Sequence, residues 1–256
     1  MKFLKKTYLG LILIFLYIPI VVLIIQSFNA GESRALWEGF SLHWYAELFQ
    51  DERILNALYV TLSIAVLAMI VSTILGTLAA IGIHAMRKRP QAMMMTLTNL
   101  PNTMPDIVTG ISLMLLFLFT RVERGYVTML LAHITFDTPY VILSVLPKLK
   151  QMNRHTYEAA LDLGATPLYA LVHIIIPQCK QGIITGAMLA FTLSLDDFTI
   201  SYFTTSPLVQ NLSTLIYSAT RTGIDPTLNA LSALMFVALL VLLLIVNRRT
   251  AEEKAQ

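Results

Sequence analysis

The chain has 256 residues, of which 56% are hydrophobic and 13% charged, with a mean hydropathy of +0.70. A soluble domain carries about 25% charged residues; here charge is nearly absent from continuous runs of about 20 residues, the length that crosses a bilayer, which excludes an ordinary soluble domain and, because the runs do not alternate, a β-barrel. The net charge of +3 is small, and the single cysteine, Cys179, excludes an intrachain disulfide.

The first apolar run, Tyr8–Ser27, follows Lys2, Lys5 and Lys6. Those lysines also fit the basic start of a signal peptide, but the apolar stretch Leu9–Ile25 is long for one and no small-x-small cleavage site follows. A membrane helix is the reading taken. Residues 28–57 then form the longest connection, with Glu32, Glu38, Glu47, Asp51 and Glu52 against Arg34 and Arg53. Both tryptophans, Trp37 and Trp44, lie in it beside Phe40 and Tyr45. Two readings fit: an interfacial aromatic belt, or a docking surface for an outside partner.

The second run is Leu58–Met86, with Ser72, Gly76 and Ala80 four residues apart, and Arg87, Lys88 and Arg89 follow it. The third, Pro105–Thr120, is approached through Pro101 and Pro105, which predict a late helix start. The fourth, Tyr126–Leu146, contains His133, Asp137 and Pro139; the proline predicts a kink. The fifth, Gln181–Phe203, repeats small residues at Gly182, Gly186, Ala190 and Ser194, and the last is Leu228–Asn247. Small residues at this spacing let helix backbones approach closely in lipid. Of the 18 lysines and arginines, thirteen fall at the two ends and on the second and fourth connections, and five on the alternate ones. The positive-inside rule then places both termini in the cytoplasm of a polytopic, all-α membrane protein with six transmembrane helices.

Asp106, Asp137, Asp196 and Asp197 lie in or beside these runs, and no lysine or arginine sits at comparable depth. Intramembrane charge usually faces a bundle interior or a wet cavity. A cationic substrate balances such acids. Neighbours on a regular helix point about 100° apart, so Asp196 and Asp197 are not expected to line one wall together. Asp106 also suits the positive end of a helix that starts after Pro105. Asp137 reads as structural, with its carboxyl serving a backbone group freed by Pro139. His133 and Asp137 are i, i+4 and within reach of a local hydrogen bond. The five histidines show no metal-ligand spacing.

No Gly-x4-Gly-Lys occurs, so the chain has no P-loop, and no nucleophile–base set stands at informative spacing. A transport subunit without its own ATPase site fits better than an enzyme, and no nucleic-acid partner is expected. The connection 154–177 is the remaining oddity. Arg154–Leu163 favours helix, Gly164 suits a left-handed cap, Thr166-Pro167 restarts a short helix and Pro177 ends it.

Within that connection, Glu158-Ala159-Ala160, three residues, Gly164, nine residues, then Ile174-x-Ile176-Pro177 resembles the EAA motif of ABC importer permease subunits. The family pattern ends in Ile-x-Leu-Pro, and Ile176 stands here for the leucine. The stretches Phe15–Ile20, Pro105–Val108, His133–Phe136, Ala160–Ala165 and Phe191–Asp197 are similar to the polyamine-transporting branch of that family. The resemblance implies a type I ABC importer permease fold over residues 1–256, a single transmembrane permease domain, in a bacterial cytoplasmic membrane. It makes 154–177 the cytoplasmic coupling loop, with Glu158, Ala159, Ala160, Asp162 and Gly164 transmitting motion from a separate ABC ATPase dimer. ATP and Mg belong to that dimer, and this chain needs no cofactor. A paralogous permease subunit and an extracytoplasmic polyamine-binding protein complete the implied assembly. Spermidine or putrescine is the implied cargo, with Asp196, Asp197, Asp106, Phe198 and Tyr202 on its pathway. Permeases for sulfate, iron or another solute share the loop, and remain the alternative cargo; an ion-coupled secondary carrier or a non-transporting scaffold leaves the loop unexplained.

Overall fold

A computed structural model describes residues 2–33, 36–153, 155–223 and 225–255. Among them the chain is helical apart from connections and two isolated β-bridges, Asn29 with Phe40 and Ser206 with Val209. The elements run α1 Lys2–Gln26, α2 His43–Leu48, α3 Glu52–Ala85, α4 Lys88–Thr103, α5 Asp106–Phe119 and α6 Tyr126–Gln151. Then follow α7 His155–Asp162, α8 Pro167–Ala170, a π-helical turn Leu171–Ile175 and α9 Ile176–Gln178. The chain ends with α10 Lys180–Asp196, α11 Thr199–Thr204, α12 Leu212–Thr222 and α13 Pro226–Ala255.

Among the described residues three helices are long and apolar enough to cross a membrane: Lys6–Gln26 within α1, then α3 and α6. Two bent pairs, α4 with α5 at 104° and Pro167–Gln178 with α10 at 72°, raise that number to five if each is one span. Pro226–Ala238 is a shorter apolar helix. The expected count of six is therefore not reached by length and composition. The fifth expected span differs because its helix stops at Asp196 and restarts at Thr199 instead of running to Phe203. At the third, Pro105 does mark a late start, with α5 beginning at Asp106, but Pro101 lies inside the preceding helix α4.

The chain forms two compact units, Met1–Leu55 with Ile216–Gln256, and Asn56–Leu215. In the first, α1 and α2 both pack on α13. The connection after α1 is built around Asn29, which is 1% exposed. Its side-chain amide donates to the carbonyls of Ser33 and Leu36 and its oxygen accepts from the N–H of Glu38, at 3.0, 2.8 and 2.8 Å. The Trp44 indole donates to the Asn29 carbonyl at 2.6 Å. Trp44 is thus buried inside its own unit, whereas Trp37 and Phe40 are exposed. Of the two tryptophans read as belt or docking surface, only Trp37 presents its ring outward. Asp51 starts α3: its carboxylate accepts from the N–H of Arg53 and Ile54 and pairs with the Arg53 guanidinium at 2.8 Å. The hydrogen bond from the Arg53 side chain holds the Asp51 carboxyl below its usual range.

In the second unit α6 is the buried centre, packed by α10, α11, α4 and α5. It runs as one helix through Pro139. The small-residue rows face it. A Cβ on Gly76 would stand 2.6 Å from Val141 Cβ, one on Gly186 3.1 Å from Val141 Cα, and one on Gly182 2.8 Å from the Ser144 carbonyl oxygen. Without a hydrophobic drive between helices in lipid, such backbone approach supplies the packing. Gly182→Ala forces a methyl against a backbone oxygen that has no rotamer to yield. Overpacking of this kind costs about 1–3 kcal/mol, so the variant is expected to unfold at lower temperature in detergent. An unchanged thermal midpoint would contradict this close seam.

Candidate functional site

The fifth apolar run is interrupted where its two acids stand. Asp197 leaves helical geometry, with φ −62° and ψ 124°. Its carboxylate then turns onto the start of α11, accepting from the N–H of Ile200 at 3.2 Å and of Ser201 at 2.8 Å. Free N–H groups at a helix start need such acceptors, and the apolar surroundings supply no water in their place. Asp197 therefore faces inward with its side chain 8% exposed, while Asp196 is exposed. The break sends the two carboxylates in different directions.

One neighbour braces both sides of the break. His133 of α6 is fully buried. Its Nδ1 lies 3.0 Å from Ser194 Oγ at the end of α10, and its Nε2 3.0 Å from Ser201 Oγ in α11. Ser194 donates its hydroxyl to Asp137 at 2.6 Å, and Asn211 donates from its amide to Ser201 Oγ at 2.8 Å. His133 and Asp137 are thus linked through Ser194, one helix away, and not by a bond along their own helix. Asp137 is wholly buried and its carboxyl serves Ser194; its second oxygen has no hydrogen-bond partner among the described residues. The partner of Asp137 is the Ser194 hydroxyl and not the backbone group expected beside Pro139. Ser201 and Asn211 have no sequence signal for this role, since Asn211 reaches the site only through the connection after α11.

Asp106 is the first residue of α5 and is exposed. One turn on, Gly110 lies so close to α11 that a Cβ would stand 2.9 Å from the Phe203 ring and 3.4 Å from the Thr199 carbonyl. The helix that begins with Asp106 therefore packs on the short helix that follows the Asp196–Asp197 break. Phe198, just before that short helix, and Tyr202 on it have ring centroids 5.4 Å apart, as do Tyr202 and Phe203, and Tyr202 is exposed. Exposed aromatic faces near carboxylates suit an organic cation.

In the connection 154–177 the first helix, expected over Arg154–Leu163, runs His155–Asp162, with Arg154 outside the described residues. After α7, Gly164 takes φ +89°. The N–H of Gly164 bonds the Leu161 carbonyl at 2.9 Å and that of Ala165 the Ala160 carbonyl at 3.1 Å, a left-handed helix cap that only glycine adopts without strain. Thr166 accepts from the N–H of Tyr169 and Pro167 occupies the first helical turn. The helix does not end at Pro177. It widens at Leu171–Ile175, where Ile176 N–H bonds the Leu171 carbonyl, and turns at Cys179.

Glu158, Ala159, Asp162 and Gly164 are exposed, and Glu158 pairs with His155 at 3.1 Å. Ala160 is buried, and it floors shallow hollows rimmed by Leu163, Gly164, Thr166, Tyr169 and Ile174. Leu163 is 90% exposed and Leu168 70%. These two residues and Tyr169 were not singled out by the motif; an apolar side chain beside a glycine cap is the signal that marks Leu163. Leu163 thus leaves an apolar side chain uncovered beside the small-residue floor.

A family model described as binding-protein-dependent transport system inner membrane component matches residues 72–249. The chain belongs to that family of transport permeases. The matched residues of this permease include both the loop after α6 and the break between α10 and α11. The permease is 40% identical over 231 residues to the putrescine transport system permease protein PotI of Escherichia coli (strain K12), covering 88% of this chain and 82% of that protein. It is 35% identical to the spermidine/putrescine transport system permease protein PotC of Haemophilus influenzae, covering 96% and 97%. Against PotC of Escherichia coli (strain K12) the identity is 34%, over 100% and 96%. Among solved structures, a bacterial ABC transporter involved in the import of the acidic polysaccharide alginate superposes with a TM-score of 0.74 at 20% identity, over 98% of this permease and 95% of that chain. The alginate transporter in complex with its pentasaccharide-bound periplasmic protein superposes at 0.71 and 20% identity, over 95% and 91%. The permease shares their fold.

Proposed function

We propose that this permease is the membrane-spanning subunit of an ATP-driven importer of polyamines. The observation that carries the reading is the exposed Asp196 at a helix break, in a stretch from Gln181 to Thr220 that holds no lysine or arginine. A carboxylate without a resident cation attracts a mobile one. The names of the relatives supply the same class of cargo, a small organic polycation. Asp106, Asp196 and Asp197 with Phe198 and Tyr202 form the pathway: Asp196 meets the ammonium groups, Asp197 holds the break open, and the rings cover the methylene chain. A pathway binds its cargo weakly, since tight binding prevents release.

The loop 154–177 couples this path to a separate ATPase dimer. Ala160 and Gly164 admit side chains from the ATPase, Leu163 anchors them, and Glu158, Ala159 and Asp162 set the contact around them. ATP with Mg on that dimer closes it and draws the loop, which opens the permease outward; hydrolysis resets it inward. A paralogous permease subunit forms the other half of the path, and an extracytoplasmic polyamine-binding protein delivers cargo to the outer face, where Trp37 and Phe40 lie. By the distribution of lysine and arginine both termini are cytoplasmic, with six crossings in the bacterial inner membrane. These comprise the three long helices, the two bent pairs and α13.

Cargo is tested by uptake of labelled putrescine, spermidine and sulfate into vesicles holding the assembled importer. Accumulation of either polyamine, with sulfate at background, is expected. Accumulation of sulfate alone would overturn the cargo assignment and leave the permease family intact.

A further inference from the structure

His133 lies at the centre of a hydrogen-bonded chain running from Asn211 through Ser201, His133 and Ser194 to Asp137. Each ring nitrogen meets a serine hydroxyl, which can donate or accept, so both contacts hold in either tautomer. Asp197 Oδ2 is 3.7 Å from Nε2, beyond hydrogen-bond length, and is reached instead through Ser201, whose N–H it accepts.

This arrangement is unusual in where it acts. Ser194 stands two residues before Asp196 and Ser201 four residues after Asp197. A single side chain from α6 thus grips the last turn of α10 and the first turn of α11. The break is held directly by Asn211, which donates to the Asp197 carbonyl at 3.3 Å, and by Ser213, whose hydroxyl donates to the Asp196 carbonyl at 3.5 Å; the two His133 grips and the Asp197 cap tie its ends to α6 and α11. We propose that His133 is a positioning residue for substrate: by bracing both ends of the break from the neighbouring helix, it fixes the direction in which Asp196 is presented. The inference rests on the reading of Asp196 as a pathway residue. Its role is geometric, and it makes no contact with cargo.

The test is the apparent KM for labelled putrescine in vesicles of the assembled importer, for Asp196→Asn, His133→Leu and the two together. His133→Leu is expected to raise KM about tenfold, the effect of losing a positioned charge contact. In the Asp196→Asn background the same change is expected to add less than about twofold, because the carboxylate it aims is gone. His133→Asn and His133→Gln, which keep a polar group near one ring nitrogen each, should fall between wild type and leucine. Loss of stability alone reduces the amount of assembled importer and leaves KM where it is. Where His133→Leu does not assemble, Ser201→Ala removes the α11 grip together with the Asn211 bond to the same hydroxyl, and Asn211→Ala beside it separates the two. Equal factors in both backgrounds, or an unchanged KM in the histidine and serine variants beside a raised one in Asp196→Asn, overturn the positioning role alone. An unchanged KM in Asp196→Asn overturns the pathway reading and this inference with it.

Discussion

Glu158→Lys is expected to abolish ATP-dependent uptake while the protein still inserts and folds. Glu158 is exposed in the first turn of α7 and, among the described residues, its carboxylate pairs with His155, so its substitution leaves internal packing intact. A lysine there sits at the positive end of the helix and costs about 0.3–1 kcal/mol locally, too little to unfold the chain. At the proposed ATPase contact the reversed charge is far more damaging, since like-charge contact costs several kcal/mol. With about 1.4 kcal/mol for each tenfold change, uptake should fall at least about a hundredfold. Ala160→Leu should give the same loss by filling the hollow under Leu163. Vesicle uptake together with co-purification of the ATPase checks both variants. Full uptake in Glu158→Lys would remove the coupling role from this loop.

The second large effect is expected at the helix break, and there the two acids should separate. Asp196→Asn removes an exposed charge with no cap to lose. Hydrogen bonds to charged groups contribute about 1.5–3 kcal/mol, so KM for polyamine should rise by about ten- to a hundredfold with normal amounts of assembled importer. Asp197→Asn weakens two bonds to the start of α11, and loss of a helix cap costs about 1 kcal/mol. Its signature is a lower yield of assembled importer in addition to impaired uptake. If the double Asn variant transports polyamine normally, the carboxylate pathway is wrong.

These expectations draw on features of unequal legibility in the chain. The loop was legible because its punctuation is local: Gly164 adopts the left-handed cap and Thr166-Pro167 the helix start through bonds within six residues. The small-residue rows were legible because four-residue spacing has one meaning in lipid, and Gly182, Gly186 and Gly76 all meet α6. The break at Asp197 was hidden by hydropathy, which continues through Phe198, Ile200 and Phe203. Its cue was chemical: an aspartate followed by a short helix is a capping residue even inside a span. Helix α4 was missed as an element because its sequence, from Lys88 to Thr103, is too polar to read as a crossing. The His133 network was out of reach, since Ser194, Ser201 and Asn211 lie 61, 68 and 78 residues from it along the chain. Only the packing of α10 and α11 on α6 brings these residues together.

The central claim is that this permease gates a path and takes its energy from another chain. The direct measurement is putrescine accumulation in vesicles containing this subunit and its paralogous partner, with the ATPase dimer and ATP present or withheld and the binding protein supplied in both cases. Accumulation against a gradient only when both ATPase and ATP are present is the predicted result. Concentrative uptake by the permease subunits alone, driven by an ion gradient, would contradict the account.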